Sequence, residues 1–194
     1  MERFIRQQVE KSFSLKHQII EDDGIIHITK TVAKRIIDAY RIGNKVIIAG
    51  NGGSAADAQH IAGELVSRFY FDRPGLPAIA LTTDTSILTA IGNDYGYDNL
   101  FARQIQANGV KGDIFIGIST SGNSKNILKA LDECRKKEIT SIVLTGLTGG
   151  KMFGNCDYII RVPSSETPRI QEVHILLGHI ICSVVEEALF GKGF

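Results

Sequence analysis

The chain has 194 residues, 43% of them hydrophobic and 22% charged, enough for one globular domain with a full core. Its 22 Lys and Arg against 21 Asp and Glu leave a formal charge of +1, so bulk charge draws in neither nucleic acid nor a membrane surface. An anionic ligand must be held by a local site.

The opening MERFIRQQVEKSF mixes Glu with Arg and lacks the apolar stretch of a secretory signal. The longest apolar segment, Ile175 to Val185, is interrupted by Gly178 and His179 and falls short of the roughly 20 residues that cross a bilayer. Cys134, Cys156 and Cys182 are odd in number and widely spaced, which suggests neither a disulfide framework nor a metal knuckle. The expectation is a cytoplasmic protein with reduced thiols and neither membrane nor nucleic acid as partner.

In chain order, residues 1–43 read as two helices. Phe4, Ile5, Val9 and Phe13 recur at helical spacing, as do Ile28, Val32, Ile36, Ile37 and Tyr40, with a break near Asp22-Asp23-Gly24. This pair is expected to serve packing or oligomerisation. From Lys45 short Val- and Ile-rich runs (KVIIAG, PAIAL, DIFIGIS, TSIVLTG, DYIIRV) alternate with amphipathic stretches at Ser54 to Phe69, from Ser86 past Asn93, and at Asn123 to Lys137. Apolar strands separated by helices predict a parallel sheet covered on both faces: a three-layer α/β sandwich with five strands, in a single domain spanning 1–194. A last helix is expected from about Pro168 to Phe190, with Thr167 as N-cap.

Open α/β sheets bind ligands beyond the carboxyl ends of their strands. After DIFIGIS comes Ser119-Thr120-Ser121-Gly122-Asn123-Ser124, just before a predicted helix. Hydroxyls at a helix N-terminus suit a phosphate, although an ordinary serine-rich cap and turn reads the same way. The pattern lacks the lysine of a nucleotide P-loop, which favours a sugar phosphate over a triphosphate. After KVIIAG comes Asn51-Gly52-Gly53-Ser54, either a ligand-binding turn with unusual backbone freedom or simply a tight loop.

His60, Glu64 and Arg68 follow at i, i+4 steps, one face of a helix. His and Glu one turn apart can ligate a divalent metal, or the Glu can act as a general base; a solvated, salt-bridged face is the plainer reading. Gln171, His174 and His179 lie on the last helix. His179, within ILLGHIIC, is either a core histidine with a buried partner or an imidazole tuned for proton transfer. Asn93-Asp94 is a polar pair after the preceding helix, or a plain turn.

Taken together, GNGGSAADAQHIAGELVSRF, AIGND, STSGNS and RIQEVHILLGH resemble the sugar isomerase (SIS) domain family over essentially the whole chain, and within it the enzymes that act on heptose phosphates. The resemblance implies an aldose–ketose isomerase that converts sedoheptulose 7-phosphate to D-glycero-D-manno-heptose 7-phosphate through an enediol. It implies phosphate binding by Ser119, Thr120, Ser121 and Ser124, and a sugar pocket of Asn51, Gly52, Gly53, Ser54, Asn93 and Asp94, with Arg68 nearby. Glu64 and His179 match the family's acid/base pair and Gln171 a contact to substrate or metal. One zinc ion per subunit is implied on His60, Glu64, Gln171 and His179. Pro168 stands where some relatives carry an acidic residue.

Gln171 and His179 are eight residues apart, roughly 12 Å along a straight helix and about 80° around it. One ion is hard to reach from both, which predicts active sites shared between subunits, in keeping with the family's homotetramers. The competing expectation is a non-catalytic tetramer of the same fold that binds the replication initiator DnaA.

Overall fold

The computed structural model describes residues 1–193. Two helices, α1 (Glu2–Glu21) and α2 (Asp23–Arg41), come first and meet at Asp22, whose side chain accepts from the Ile25 N–H and caps α2. The strands β1 (Val46–Gly50), β2 (Ala78–Ala80), β3 (Ile114–Ile118), β4 (Thr140–Thr145) and β5 (Tyr158–Arg161) form one parallel sheet in the order β2-β1-β3-β4-β5. The helices between and after them are α3 (Gly53–Val66), α4 (Thr85–Tyr95), α5 (Leu100–Asn108), α6 (Lys125–Lys136) and α7 (Thr167–Phe190).

Strands β1 and β3 are buried along their whole length, as their unbroken apolar runs require. Alternate residues feed two cores. Val46, Ile48, Ile114, Ile116 and Ile142 pack under α1, α2, α3 and α7, whereas Ile47, Ala49, Phe115 and Val143 pack under α5 and α6. The predicted three layers and five parallel strands are present. Strand order reverses between β1 and β3, and their register sets Gly50 level with Ile118. The two turns singled out above therefore leave the sheet side by side, at the position where such folds hold ligands.

Four details depart from expectation. Helix α3 ends at Val66 rather than Phe69, because Glu186 accepts the N–H groups of Phe69, Tyr70 and Phe71 that a longer helix would have used. Asn93 and Asp94 lie inside α4, not after it. The stretch beyond Asn93 breaks at Gly96 and resumes as a separate helix, α5. Glu166, not Thr167, is the N-cap residue of α7. In length and composition α7 does suffice to cross a membrane, since it runs well past the Ile175–Val185 segment; here 44% of its most apolar window is buried inside the fold.

Candidate active site

Helices α3 and α7 run side by side in the same direction. Gly53 lies against the Gln171 side chain, Ile61 against Gly178, and His60 against His179. Gly178 makes the middle contact possible: a Cβ there would stand 2.7 Å from Ile61 Cδ1, inside a core where Ile61 is almost wholly buried. With the helices this close, His60 Nε2 lies 2.8 Å from His179 Nε2 and 3.2 Å from Glu64 Oε1. The two rings meet edge to face.

Two imidazole nitrogens at that distance cannot both present lone pairs to each other, so a proton or a cation must lie between them. Ligand atoms of His60, Glu64 and His179 all fall within 4.8 Å of one another. Two imidazoles and a carboxylate are the donor set of many catalytic zinc sites, which keep a further position for water or substrate. The residues present thus fit a divalent metal. Asp57, one turn before His60, has a buried Oδ2 without a hydrogen-bond partner among the described residues. Burial pushes its carboxyl above the ordinary value, and the nearby His60 partly offsets this.

Gln171, expected as a fourth ligand, contacts the start of α3. Its Nε2 is 3.4 Å from Ser54 Oγ at the start of α3, two turns before His179 on α7. Arg68 does not continue the His60–Glu64 face, since α3 has ended; its side chain is exposed on the following loop.

At the carboxyl edge, the predicted hydroxyl loop joins β3 to α6. Ser119 Oγ and Ser124 Oγ are 2.8 Å apart, and Ser124, the N-cap residue, makes no side-chain bond to the first turn of α6. Those N–H groups remain able to bind an anion. Asn51 is fixed in the neighbouring turn by a reciprocal amide pair with Asn126 at 3.0 and 2.8 Å, and Tyr97 Oη donates to Asn51 Oδ1. Gly52, at φ +57°, supplies the left-handed backbone that starts α3. A pocket of about 480 Å3 opens here, lined among others by Asn51, Gly52, Thr82, Thr89 and Tyr97. Asn93 and Asp94 sit exposed on the last turn of α4, bonded to each other.

Sequence reasoning missed Asn126, Tyr97 and Glu186. An Asn at the second position of a helix or a Glu near the end of one carries no local signal; only the tertiary partner makes them part of the site. His174, which the sequence placed only on the last helix, is a core histidine: it is fully buried, its Nε2 is bonded to the Thr145 carbonyl, and burial pushes its pKa down to about 4.

Comparison with known proteins identifies the family. A family model, the SIS domain, matches residues 7–146. A Campylobacter jejuni protein named phosphoheptose isomerase 2 is 68% identical over 191 residues, covering 98% of this chain and 95% of that one. The chain belongs to the phosphoheptose isomerase family. Another member, from Aneurinibacillus thermoaerophilus, is 63% identical over 194 residues, covering 100% of this chain and 98% of its own. Among solved structures, a phosphoheptose isomerase from Francisella tularensis superposes with a TM-score of 0.91 at 37% identity, covering 95% of this chain and 97% of that one. Family membership makes the chain an aldose–ketose isomerase, and the superposition extends to the N-terminal helical pair as well as the sheet.

Proposed function

We propose that the chain, acting as one SIS domain in the cytoplasm, converts sedoheptulose 7-phosphate to D-glycero-D-manno-heptose 7-phosphate. Moving a carbonyl from C2 to C1 requires removal of a proton from the carbon beside it and return of a proton to its neighbour. One oxygen of Glu64 faces His60, which leaves the other to abstract the carbon-bound proton. His179 moves protons between the two oxygens of the enediol. The contact of His60, Glu64 and His179 at 2.8 and 3.2 Å carries this reading. A zinc ion held by the same three residues would supply polarisation of the carbonyl. Ser119, Thr120, Ser121 and Ser124 hold the phosphate, while Asn51 to Ser54 and Gln171 orient the sugar.

The hydroxyl loop and the proton-transfer cluster lie at different heights. His60 is seven residues into α3, roughly 10 Å from the edge turn, on a helix that runs away from it. This separation supports active sites shared between subunits of a homotetramer, with one subunit's edge loops meeting another's cluster and with Arg68, Asn93 and Asp94 completed across the contact. Exposed apolar side chains on α1, among them Phe13 at 70% and Val9 at 63%, give such an assembly a surface to cover.

The decisive assay incubates purified protein with sedoheptulose 7-phosphate, with and without chelator, and detects the aldose. Turnover that is lost on chelation and restored by zinc supports the whole reading; no aldose under any condition sinks it. Mixing inactive Glu64→Gln protein with an inactive Ser119→Ala/Ser124→Ala protein tests sharing: activity returns on subunit exchange only if one site draws on two chains.

A further inference from the structure

Seven residues past His179, and therefore on nearly the same side of α7, stands Glu186 with 1% of its surface exposed. Oε1 accepts from the Phe69 N–H at 2.8 Å and from Arg73 Nε at 2.9 Å; Oε2 accepts from Phe71 N–H at 3.1 Å and from Tyr70 N–H. Burial disfavours ionisation of this carboxyl, but the three backbone donors and the guanidinium outweigh it and hold its pKa below the ordinary value. The rest of the Arg73 guanidinium is also spoken for. Nη1 donates to the Leu65 carbonyl at 2.8 Å and Nη2 to the Glu64 carbonyl at 3.0 Å, two of the carbonyls left open where α3 stops.

An apolar contact could have pinned this loop without removing two charges from water, so cohesion alone is a poor reason for the pair. Both of its arms lead to the site. Through the Phe69 N–H, Glu186 fixes a residue whose ring centroid lies 5.8 Å from that of His179. Through Arg73, it fixes the backbone of Glu64 itself. We propose that Glu186 and Arg73 form a positioning pair that sets Glu64 and His179 relative to each other. Neither residue acts on substrate. The proposal rests on the reading of Glu64 and His179 as the proton-transfer groups.

The test compares Glu186→Gln, Arg73→Lys and Phe69→Leu with the parent protein. Thermal unfolding verifies folding, side-chain NMR of the histidine rings reports on His60 and His179, and calorimetry measures zinc affinity. Glu186→Gln keeps the shape but faces a donor toward donors. It is expected to move both imidazole signals, weaken zinc binding about tenfold or more, and lower kcat while KM stays within about threefold of the parent. Arg73→Lys, which loses the fork to the Glu64 and Leu65 carbonyls, is expected to weaken zinc binding with a smaller change at His179. Phe69→Leu should disturb His179 alone.

A folded Glu186→Gln protein with parental ring signals and parental zinc affinity overturns the proposal. Should that variant not fold, Arg73→Lys decides on the same two readouts, and unchanged values overturn it. Ring signals need no sugar. A parent protein inactive on sedoheptulose 7-phosphate would therefore sink the proposed reaction and leave the positioning test readable.

Discussion

The carboxyl edge of the sheet and the seam between α3 and α7 carry opposite chemistry. At the edge the groups are neutral: Ser119 and Ser124 hydroxyls, the Asn51–Asn126 amide pair, and the uncapped start of α6. Along the seam they are acid–base groups: His60, Glu64 and His179, with Asp57 beside them. Dipoles and N–H groups hold a phosphate without themselves taking up protons, whereas carboxylate and imidazole can move protons but are poor anchors for an anion. Binding and proton transfer should then be separable by substitution.

The largest separation is expected from Glu64→Gln. It should lower kcat by about 10²- to 10⁴-fold, the usual contribution of a general base, with KM little changed. Ser124→Ala should do the reverse. Losing one hydroxyl bond to a charged phosphate costs about 1.5–3 kcal/mol, which raises KM roughly tenfold or more and leaves kcat within a few-fold. Steady-state kinetics on both variants checks the pair; equal losses of kcat would break the distinction between edge and seam.

Histidines 174 and 179 sharpen it on a single helix. His174 stays neutral in the fold until about pH 4, whereas in the unfolded chain it takes a proton near its ordinary 6.5. Its neutral burial therefore costs nothing above pH 6.5. Stability falls as pH drops from 6.5 toward 4, by up to about 3 kcal/mol. His174→Gln keeps a donor for the Thr145 carbonyl and removes the titration, so its Tm should fall less than the parent's between pH 7 and pH 4.5. The smallest effect is expected at the Lys11–Glu166 bridge, which is about half exposed on both sides. Glu166→Gln should shift stability by under about 1 kcal/mol in a denaturant titration.

The layer plan was legible because β1 and β3 are continuous apolar runs, and the hydroxyl loop because its composition is unusual where a strand meets a helix. Spacing brought out His60 and Glu64 but overextended to Arg68, since nothing local marks the end of α3; the stop comes from Glu186, some 120 positions later in the chain. Similarly, ILLGHIIC left His179 open between a core role and proton transfer, and nothing in the sequence marked His174 as the buried histidine of the two. Their difference depends on which side of α7 meets the sheet and which meets α3, and a helix that is apolar nearly all round conceals that. Gln171 was grouped with the histidines by resemblance alone; in the fold its amide also meets Ser54.

Gly178 imposes a limit on engineering. Replacing a mid-helix glycine by alanine is a routine way to make a protein more heat-resistant, worth about 0.4–1 kcal/mol where the methyl group has room. Here the methyl would stand 2.7 Å from Ile61 and wedge the two helices apart. A thermostabilised design would need to leave this position untouched, because the space saved by one missing carbon is what lets two imidazoles from different helices share a proton or an ion.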